Sequence, residues 1–508
     1  MSKIARSSLI VTVFTLLGLG LSFLSNVVIA ANFGAGADMD VFLAATTVPL
    51  FITTILSGSL NYTFIPVFAE YREKEPGEIW KVVGSFLNLS VLAGAAAACA
   101  GILAAGPIMR LVTPGFSPEN LARSAGLLRW LFPTIVFTLI NELLASIYYS
   151  NQKFTIPSLN KVIAPVLTIA YVTAFHDTLN TKSIALAMLT ASFLQAAVLA
   201  AGFLRNKEFH YVPALDIRHP GVAKILALML PLVLGMLVCK AVPLTDAYFL
   251  SSLPSGSISH INYASRLIGV ILMVTVSGLT VSTFPVMSRY AAENNGTAFK
   301  ELLVKGARML FFFSAPFVVL LALYGRPVVQ LIFERGAFLR TDTAAVFAAL
   351  ALYLLSLPAN ALGTLVSQAF YARQEARLIS LISVTLAAVY IALCVPSVRA
   401  FGYLGIPAAY ALYNNLAILT TFTVIRRKLP GSWPPILAPF LKSALAALGA
   451  AALLYPLYRL SGESALARTG LCAAGFAAYF VIGKVLFRLE EADSLLRLLR
   501  EQAARITA

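Results

Sequence analysis

The sequence predicts an all-α polytopic membrane protein of about fourteen transmembrane helices, arranged as two pseudo-symmetric six-helix lobes and two C-terminal helices. Three observations carry that reading. The 508 residues are 59% hydrophobic and only 12% charged, with a mean hydropathy of +0.84, whereas a soluble domain is about 25% charged. Apolar runs recur at the ~20-residue length that a spanning helix needs. Finally, two stretches about 220 residues apart repeat each other.

By length and apolarity the spans fall near 8–32, 41–68, 82–109, 130–150, 156–176, 183–204, 223–250, 259–287, 308–325, 344–371, 378–397, 402–425, 436–458 and 468–487. A β-barrel would show alternating ~10-residue segments instead of continuous apolar runs. The start, MSKIARSS and then an apolar run, resembles a secretory signal, but the run continues past Ala31 with no clear cleavage site and reads as span one. Pro49, Pro133, Pro165, Pro231, Pro243, Pro358 and Pro407 lie inside spans, where each removes a backbone hydrogen bond and bends its helix. Beyond the last span, LEEADSLLRLLREQAARI reads as an amphipathic helix suited to lying on a membrane surface.

The formal net charge of +16 raises the question of nucleic acid, and the placement of the charges answers it. With Lys3 and Arg6 assigned to the cytoplasm, 26 of the 38 Lys and Arg fall on that side, ten on the other and two, Lys240 and Arg266, in the membrane. This is the positive-inside bias, so the basic excess reports topology and contact with membrane lipids, not nucleic acid. Both termini are then expected in the cytoplasm. The four cysteines (Cys99, Cys239, Cys394, Cys472) sit in spans at unrelated spacings and read as small buried hydrophobes.

FIPVFAEY (64–71) lines up with TFPVMSRY (283–290) at an offset of 219, and SIYYSNQKF (146–154) with QAFYARQEA (368–376) at 222, which puts Tyr149 on Tyr371 and Gln152 on Gln374. Gly115 falls near Gly336. Three matches in order at one spacing indicate an internal repeat. Each unit holds an even number of spans, so both copies enter the membrane from the same side as parallel repeats, with a site expected at their interface. The expected organisation is an N-terminal lobe over 1–205, a cytoplasmic linker over 206–222, a second lobe over 223–428, spans thirteen and fourteen over 429–488 and the tail over 489–508.

No catalytic constellation is present: the four histidines have no ligand spacing, and there is no phosphate loop of the P-loop type. The chain reads as a non-enzyme without a cofactor or metal, leaving membrane potential, Na+ or H+ as energy sources. Lys240, Asp246 and Arg266 lie within apolar runs, where a charge costs roughly 2.5–3.5 kcal/mol and normally faces protein or a wet cavity. One reading is pairing, Lys240 with Asp246 or Arg266 with a carboxylate. The other is that Lys240 and Arg266 hold a phosphate-bearing head group, one as a point charge and one as a fork. Asp246, Glu142 and Asp40 are then candidates for coupling or gating. Asn26, Asn61, Asn88, Gln195, Asn360, Gln368, Asn414 and Asn415 could line a wet groove or join helices.

NFGAGADMDVFLAA (32–45), FIPVFAEYREK (64–74), VTPGF (112–116) with WLFPTIVF (130–137), LPSGSISHINYASRLIGVILMVTVSGLTVSTFPVMSRY (253–290), FERGAFLRTDTAAVFAAL (333–350) and FYARQEAR (370–377) resemble the MviN/MurJ family of lipid II flippases, in the multidrug/oligosaccharidyl-lipid/polysaccharide exporter superfamily. The resemblance covers spans one to twelve. It implies two lobes that alternate access and carry an undecaprenyl-pyrophosphate-linked precursor across the bacterial inner membrane. The family's span-eight arginine falls on Arg266 and its outer aspartate on Asp40. Its span-one arginines are Leu19 and Ser25 here, its paired span-two arginines are Thr53 and Thr54, and the acidic residue before the span-eight arginine is Ser265. The expected substrate-binding positions are therefore Arg266, Lys240, Thr53, Thr54 and Asn61. The expected function is flipping of a lipid-linked saccharide, with lipid II as the family default. Alternatives are an O-antigen, capsule or exopolysaccharide unit or, on the same fold, a drug/cation antiporter. Glycan-synthesis enzymes are candidate partners.

Overall fold

A computed structural model of the chain describes residues 3–206, 208–429, 431–435, 437–462 and 464–493. These residues form twenty α-helices and no strand. The first nine are α1 (Lys3–Phe33), α2 (Ala37–Lys74), α3 (Ile79–Leu103), α4 (Ala105–Val112), α5 (Pro118–Leu131), α6 (Thr134–Ser150), α7 (Thr155–Asn160), α8 (Ile163–Leu179) and α9 (Lys182–Arg205). The next nine are α10 (Pro220–Cys239), α11 (Val242–Leu250), α12 (Ser257–Ala292), α13 (Gly296–Tyr324), α14 (Arg326–Phe333), α15 (Arg340–Leu354), α16 (Leu357–Ala372), α17 (Ala376–Phe401) and α18 (Gly405–Lys428). α19 (Leu437–Leu460) and α20 (Ala465–Val485) follow.

Twelve stretches are long and apolar enough to cross a membrane, thirteen when the bent pair α15–α16 counts as one. One of the twelve, Ala376–Lys428, contains two helices of 26 and 24 residues, α17 and α18, which brings the tally to the fourteen expected. Only 11% of the apolar windows in Thr155–Leu179 and Pro220–Leu250 is buried within the protein. Such large bare apolar faces would associate in water, but they match hydrocarbon. This is a multi-pass membrane protein.

The second set of nine helices returns the first with two differences. α1 is whole where α10 and α11 are separate, and α17 is whole where α7 and α8 are separate. Turn geometry repeats residue for residue at an offset of 222. Gln152 (φ 55) matches Gln374 (φ 59), Asn180 (φ 49) matches Gly402 (φ 58), and Gly34 (φ 61) matches Gly256 (φ 92). All but Gly256, which directly precedes α12, end helices, where a reversed dihedral lets the next amides reach back to the last carbonyls.

Sequence reading missed two kinds of detail. Span three, expected to run to 109, ends at Leu103, and the stretches that follow spans three and nine are not plain loops: they hold the short amphipathic helices α4 and α14 and the starts of α5 and α15. In addition, the runs at 156–176 and 223–250 are broken, not merely bent.

The chain divides into two units, Met1–Ser259 with Arg335–Phe338, and His260–Glu334 with the residues from Leu339 onward. In the first, α2 packs on α5, α6 and α10, α6 also packs on α3 and α9, and α1 packs on α7 and α8. The linker lies along α3: Asn88 donates to the Ala214 carbonyl at 2.8 Å, and the Asp216 amide donates to Ser85 Oγ at 3.1 Å. In the second unit, Met287, Phe299, Leu303, Leu310, Leu365 and Phe370 form one core. A stripe of buried alanines on α19 (Ala446, Ala447, Ala450) faces Phe312 and Tyr479 in another. Small side chains let helices approach closely where lipid supplies no hydrophobic drive. Leu489 and Ala492 bury against that second cluster, while the expected amphipathic tail from Ser494 onward lies outside the described residues.

Candidate functional site

Lys240 sits at a break in a span. It caps the C-terminus of α10, and the next residue, Ala241, is the N-cap of α11. Pro243 explains the break locally. It cannot continue the preceding helix, but it fits the first turn of a new one, where its missing N–H would have no partner. Lys240 is exposed, and among the described residues its ammonium enters no ion pair or hydrogen bond. The pairing with Asp246 is therefore not formed; Asp246 is half-buried on α11. A lysine beside a fresh helix N-terminus adds its full charge to the partial positive charge of the free amides.

Arg266 belongs to the second unit. It is exposed on α12, and its Nε donates to Asn262 Oδ1, one turn earlier, at 2.7 Å. This bond fixes the guanidinium stem. Thr53 and Thr54 are half-buried on α2. Thr53 gives its hydroxyl proton to the Pro49 carbonyl at 2.9 Å, one turn back on its own helix, so its oxygen can only accept elsewhere. Asn61 is brought together with one expected carboxylate: its side chain hydrogen-bonds Glu142, and Ser146 Oγ donates to Asn61 Oδ1 at 2.9 Å.

Asp40 is 5% exposed at the start of α2. Its carboxylate accepts from the Gly256 amide at 2.6 Å and from the Ser259 amide and hydroxyl at 2.7 and 2.5 Å. It thus caps the first turn of α12 and complements that helix dipole. Two further contacts of the first unit mirror each other. The Gly115 amide donates to Ser251 Oγ at 3.2 Å, and the Ala337 amide donates to the Ala31 carbonyl at 2.7 Å. A Cβ at Gly115 would lie 2.4 Å from Ser252 Cα, and one at Gly336 (φ +58) 2.2 Å from the Ala31 oxygen. Side chains are excluded at both glycines, which lie one position out of register in the repeat.

Several functional candidates escaped sequence reasoning. Asn160 Nδ2 donates to Asn141 Oδ1 at 2.7 Å and to the Gln195 carbonyl at 3.1 Å, while Gln195 Nε2 returns a bond to the Asn160 carbonyl at 3.1 Å. Amides inside apolar runs were the available signal, and only Gln195 was singled out. In the second unit, His260 Nε2 lies 3.0 Å from Asp342 Oδ1, and Asp342 also caps α15 by accepting from the Leu339 amide at 2.9 Å. Asn360, Gln368 and Asn414, three of the amides singled out, line one cavity of about 390 Å³ among α16, α17 and α18.

The chain as a whole resembles known proteins in sequence and fold. The chain from 29 to 466 matches the family model described as "Lipid II flippase MurJ". It is 29% identical over 388 residues to a probable lipid II flippase MurJ of Buchnera aphidicola subsp. Schizaphis graminum, covering 75% of each chain. The fold is similar to a solved lipid II flippase MurJ in an inward closed conformation, with a TM-score of 0.83, 21% identity and coverage of 94% of this chain and 99% of that one. It is also similar to an inward-facing multidrug resistance MATE transporter of the MOP superfamily, with a TM-score of 0.69, 16% identity and coverage of 82% and 98%. With more than three-quarters of its length in the match, this chain belongs to the lipid II flippase MurJ family of membrane transporters.

Proposed function

We propose that this chain moves a polyprenyl-diphosphate-linked saccharide precursor across the bacterial cytoplasmic membrane by alternating access, with both termini in the cytoplasm and lipid II as the first substrate to test. The carrying observation is Lys240, an exposed ammonium without a partner at a broken span. Such a group is costly in a bilayer unless an anion comes to it. Arg266 is the second cation in this reading, and Thr53, Thr54 and Asn61 line the path. The repeat makes the two six-helix lobes the moving bodies. Asp40 serves as a gate, while Glu142 and Asp246 carry the coupling ion.

Two experiments test this. Expression in a strain depleted of its lipid II flippase restores growth if lipid II is the cargo. In reconstituted vesicles, Lys240→Ala and Arg266→Ala each lower translocation by about ten- to a hundredfold, the value of a hydrogen bond to a charged group, with insertion unchanged. Normal transport by both variants overturns the reading. Failure to restore growth, with transport of another polyprenyl-linked glycan intact, favours an O-antigen, capsule or exopolysaccharide unit. Leu19, Ser25, Thr53 and Thr54 support that second reading, because they stand where the resembling family carries arginines.

A further inference from the structure

At the 222-residue offset that relates Gly34 to Gly256 and Gln152 to Gln374, Lys240 falls on Gly18. The first copy thus has no side chain where the second has its ammonium, but another lysine occupies the place. A Cβ built on Gly18 would stand 3.4 Å from Lys161 Cβ and 3.6 Å from the Lys161 carbonyl oxygen. The α7–α8 break therefore rests on the glycine.

The two breaks are built alike. Lys161 caps α7 and precedes Val162, the N-cap of α8, as Lys240 caps α10 and precedes Ala241, the N-cap of α11. Pro165 stands in the first turn of α8 as Pro243 stands in that of α11. Yet these spans are not equivalent in the repeat. Lys161 is exposed, and among the described residues its ammonium enters no ion pair or hydrogen bond. Glu142 lies within its electrostatic reach. Beside it Asn160, only 4% exposed, has an Oδ1 with no hydrogen-bond partner, which leaves an acceptor for a donor such as a sugar hydroxyl or a bound water. The sequence alone places Lys161 among the topology-setting cytoplasmic lysines. Lys161 nevertheless falls inside the apolar run at 156–176, and the fold sets it at a break in that span, at a helix start that favours anions.

We propose that Lys161, seated on Gly18, is the first copy's counterpart of Lys240: a second ammonium that binds phosphate oxygens of a lipid-linked diphosphate. This rests on the carrier reading above. Two ammonium groups suit a diphosphate better than the single charge of a common phospholipid, and the arrangement supplies a cation to a copy whose first span has none at Leu19 and Ser25.

The test uses the purified full chain in nanodiscs of zwitterionic lipid, titrated separately with a polyprenyl diphosphate and with phosphatidylglycerol. Lys161→Gln weakens diphosphate binding about tenfold, as does Lys240→Gln. Lys161→Arg stays within about threefold of the unaltered protein, and phosphatidylglycerol binding does not change. If Lys240→Gln weakens binding and Lys161→Gln does not, Lys161 is no anchor and the proposal falls while the carrier reading stands. Equal loss of phosphatidylglycerol and diphosphate reveals a seat for any anionic lipid and overturns it too. So does recovery of both stability and binding when Glu142→Gln is added to Lys161→Gln, because Lys161 would then act only as a counter-ion. An unaltered protein that does not bind the diphosphate removes both readings.

Discussion

The stretch from α6 to α9 and its later copy from α16 to α18 share their turns, though α17 is whole where α7 and α8 are separate, and differ in what fills them. The shared part includes the turn at Gln152 and Gln374. Each amide donates to the tyrosine carbonyl three residues back, at 3.0 Å to Tyr149 and 2.9 Å to Tyr371. In the first copy Asn141, Asn160 and Gln195 interlock. In the second, the positions of Asn141, Glu142 and Gln195 are Gly363, Thr364 and Ala417, and all three line the 390 Å³ cavity. Charge inverts at the turn as well. Lys153 pairs with Glu208 in the first copy, whereas the equivalent of Lys153 is Glu375, which pairs with Lys428 at 3.1 Å. Backbone turns are thus kept across the duplication, because a left-handed residue has few substitutes. Interior volume and charge are not kept, so one scaffold can hold a bonded amide lattice on one side and a hollow on the other.

Substitutions can break or sharpen this contrast. The largest effect is expected for Asn160→Leu, which removes the donor shared by the half-buried Asn141 Oδ1 on α6 and the Gln195 backbone carbonyl on α9. A loss of about 1–3 kcal/mol is expected, read by thermal denaturation in detergent, and an unchanged midpoint would mean the lattice does not hold these helices. Gly363→Ala meets no atom within 4 Å and removes a helix-interior glycine. It should gain ~0.5–1 kcal/mol, and if transport instead falls at equal stability, the hollow is used. Gln152→Gly and Gln374→Gly should each stabilise by up to ~1 kcal/mol, and by like amounts, because both relieve the same left-handed strain. Unequal gains would undo the equivalence.

The smallest effect concerns Glu208. The hydrogen bond from Lys153 holds its carboxyl below the usual carboxylate range. A depressed value means that its contribution is fully present above the unfolded pKa of ~4.3 and is lost as pH falls through the folded value. Glu208→Gln should therefore match the unaltered protein in strong acid and differ from it, slightly, near neutrality. A difference that grows on acidification would contradict the pairing.

Much of this architecture was legible in the residues. Hydropathy located the spans because a bilayer imposes one length and one polarity on each, and the offset between Gln152 and Gln374 exposed the duplication. The breaks at Lys161 and Lys240 were not legible. A proline such as Pro165 or Pro243 is compatible with a bend or an end, and only neighbouring helices decide which. The Asn141–Asn160–Gln195 lattice joins three helices, and its register is set by packing that no periodicity encodes. Lys161 was assigned by its nearness to a span end, and contact with Gly18, 143 positions earlier, is not a local property.

Asp40 has a consequence for timing. One carboxylate receives three donors from residues 256–259, so giving up any single one gains little while the others still tether the same group. Separation there must hydrate an anion, two peptide amides and a hydroxyl together. If Asp40 is the gate proposed above, that end of the molecule behaves as a toggle: it dwells shut, then snaps, and has no stable half-unfastened stage in which water could leak across.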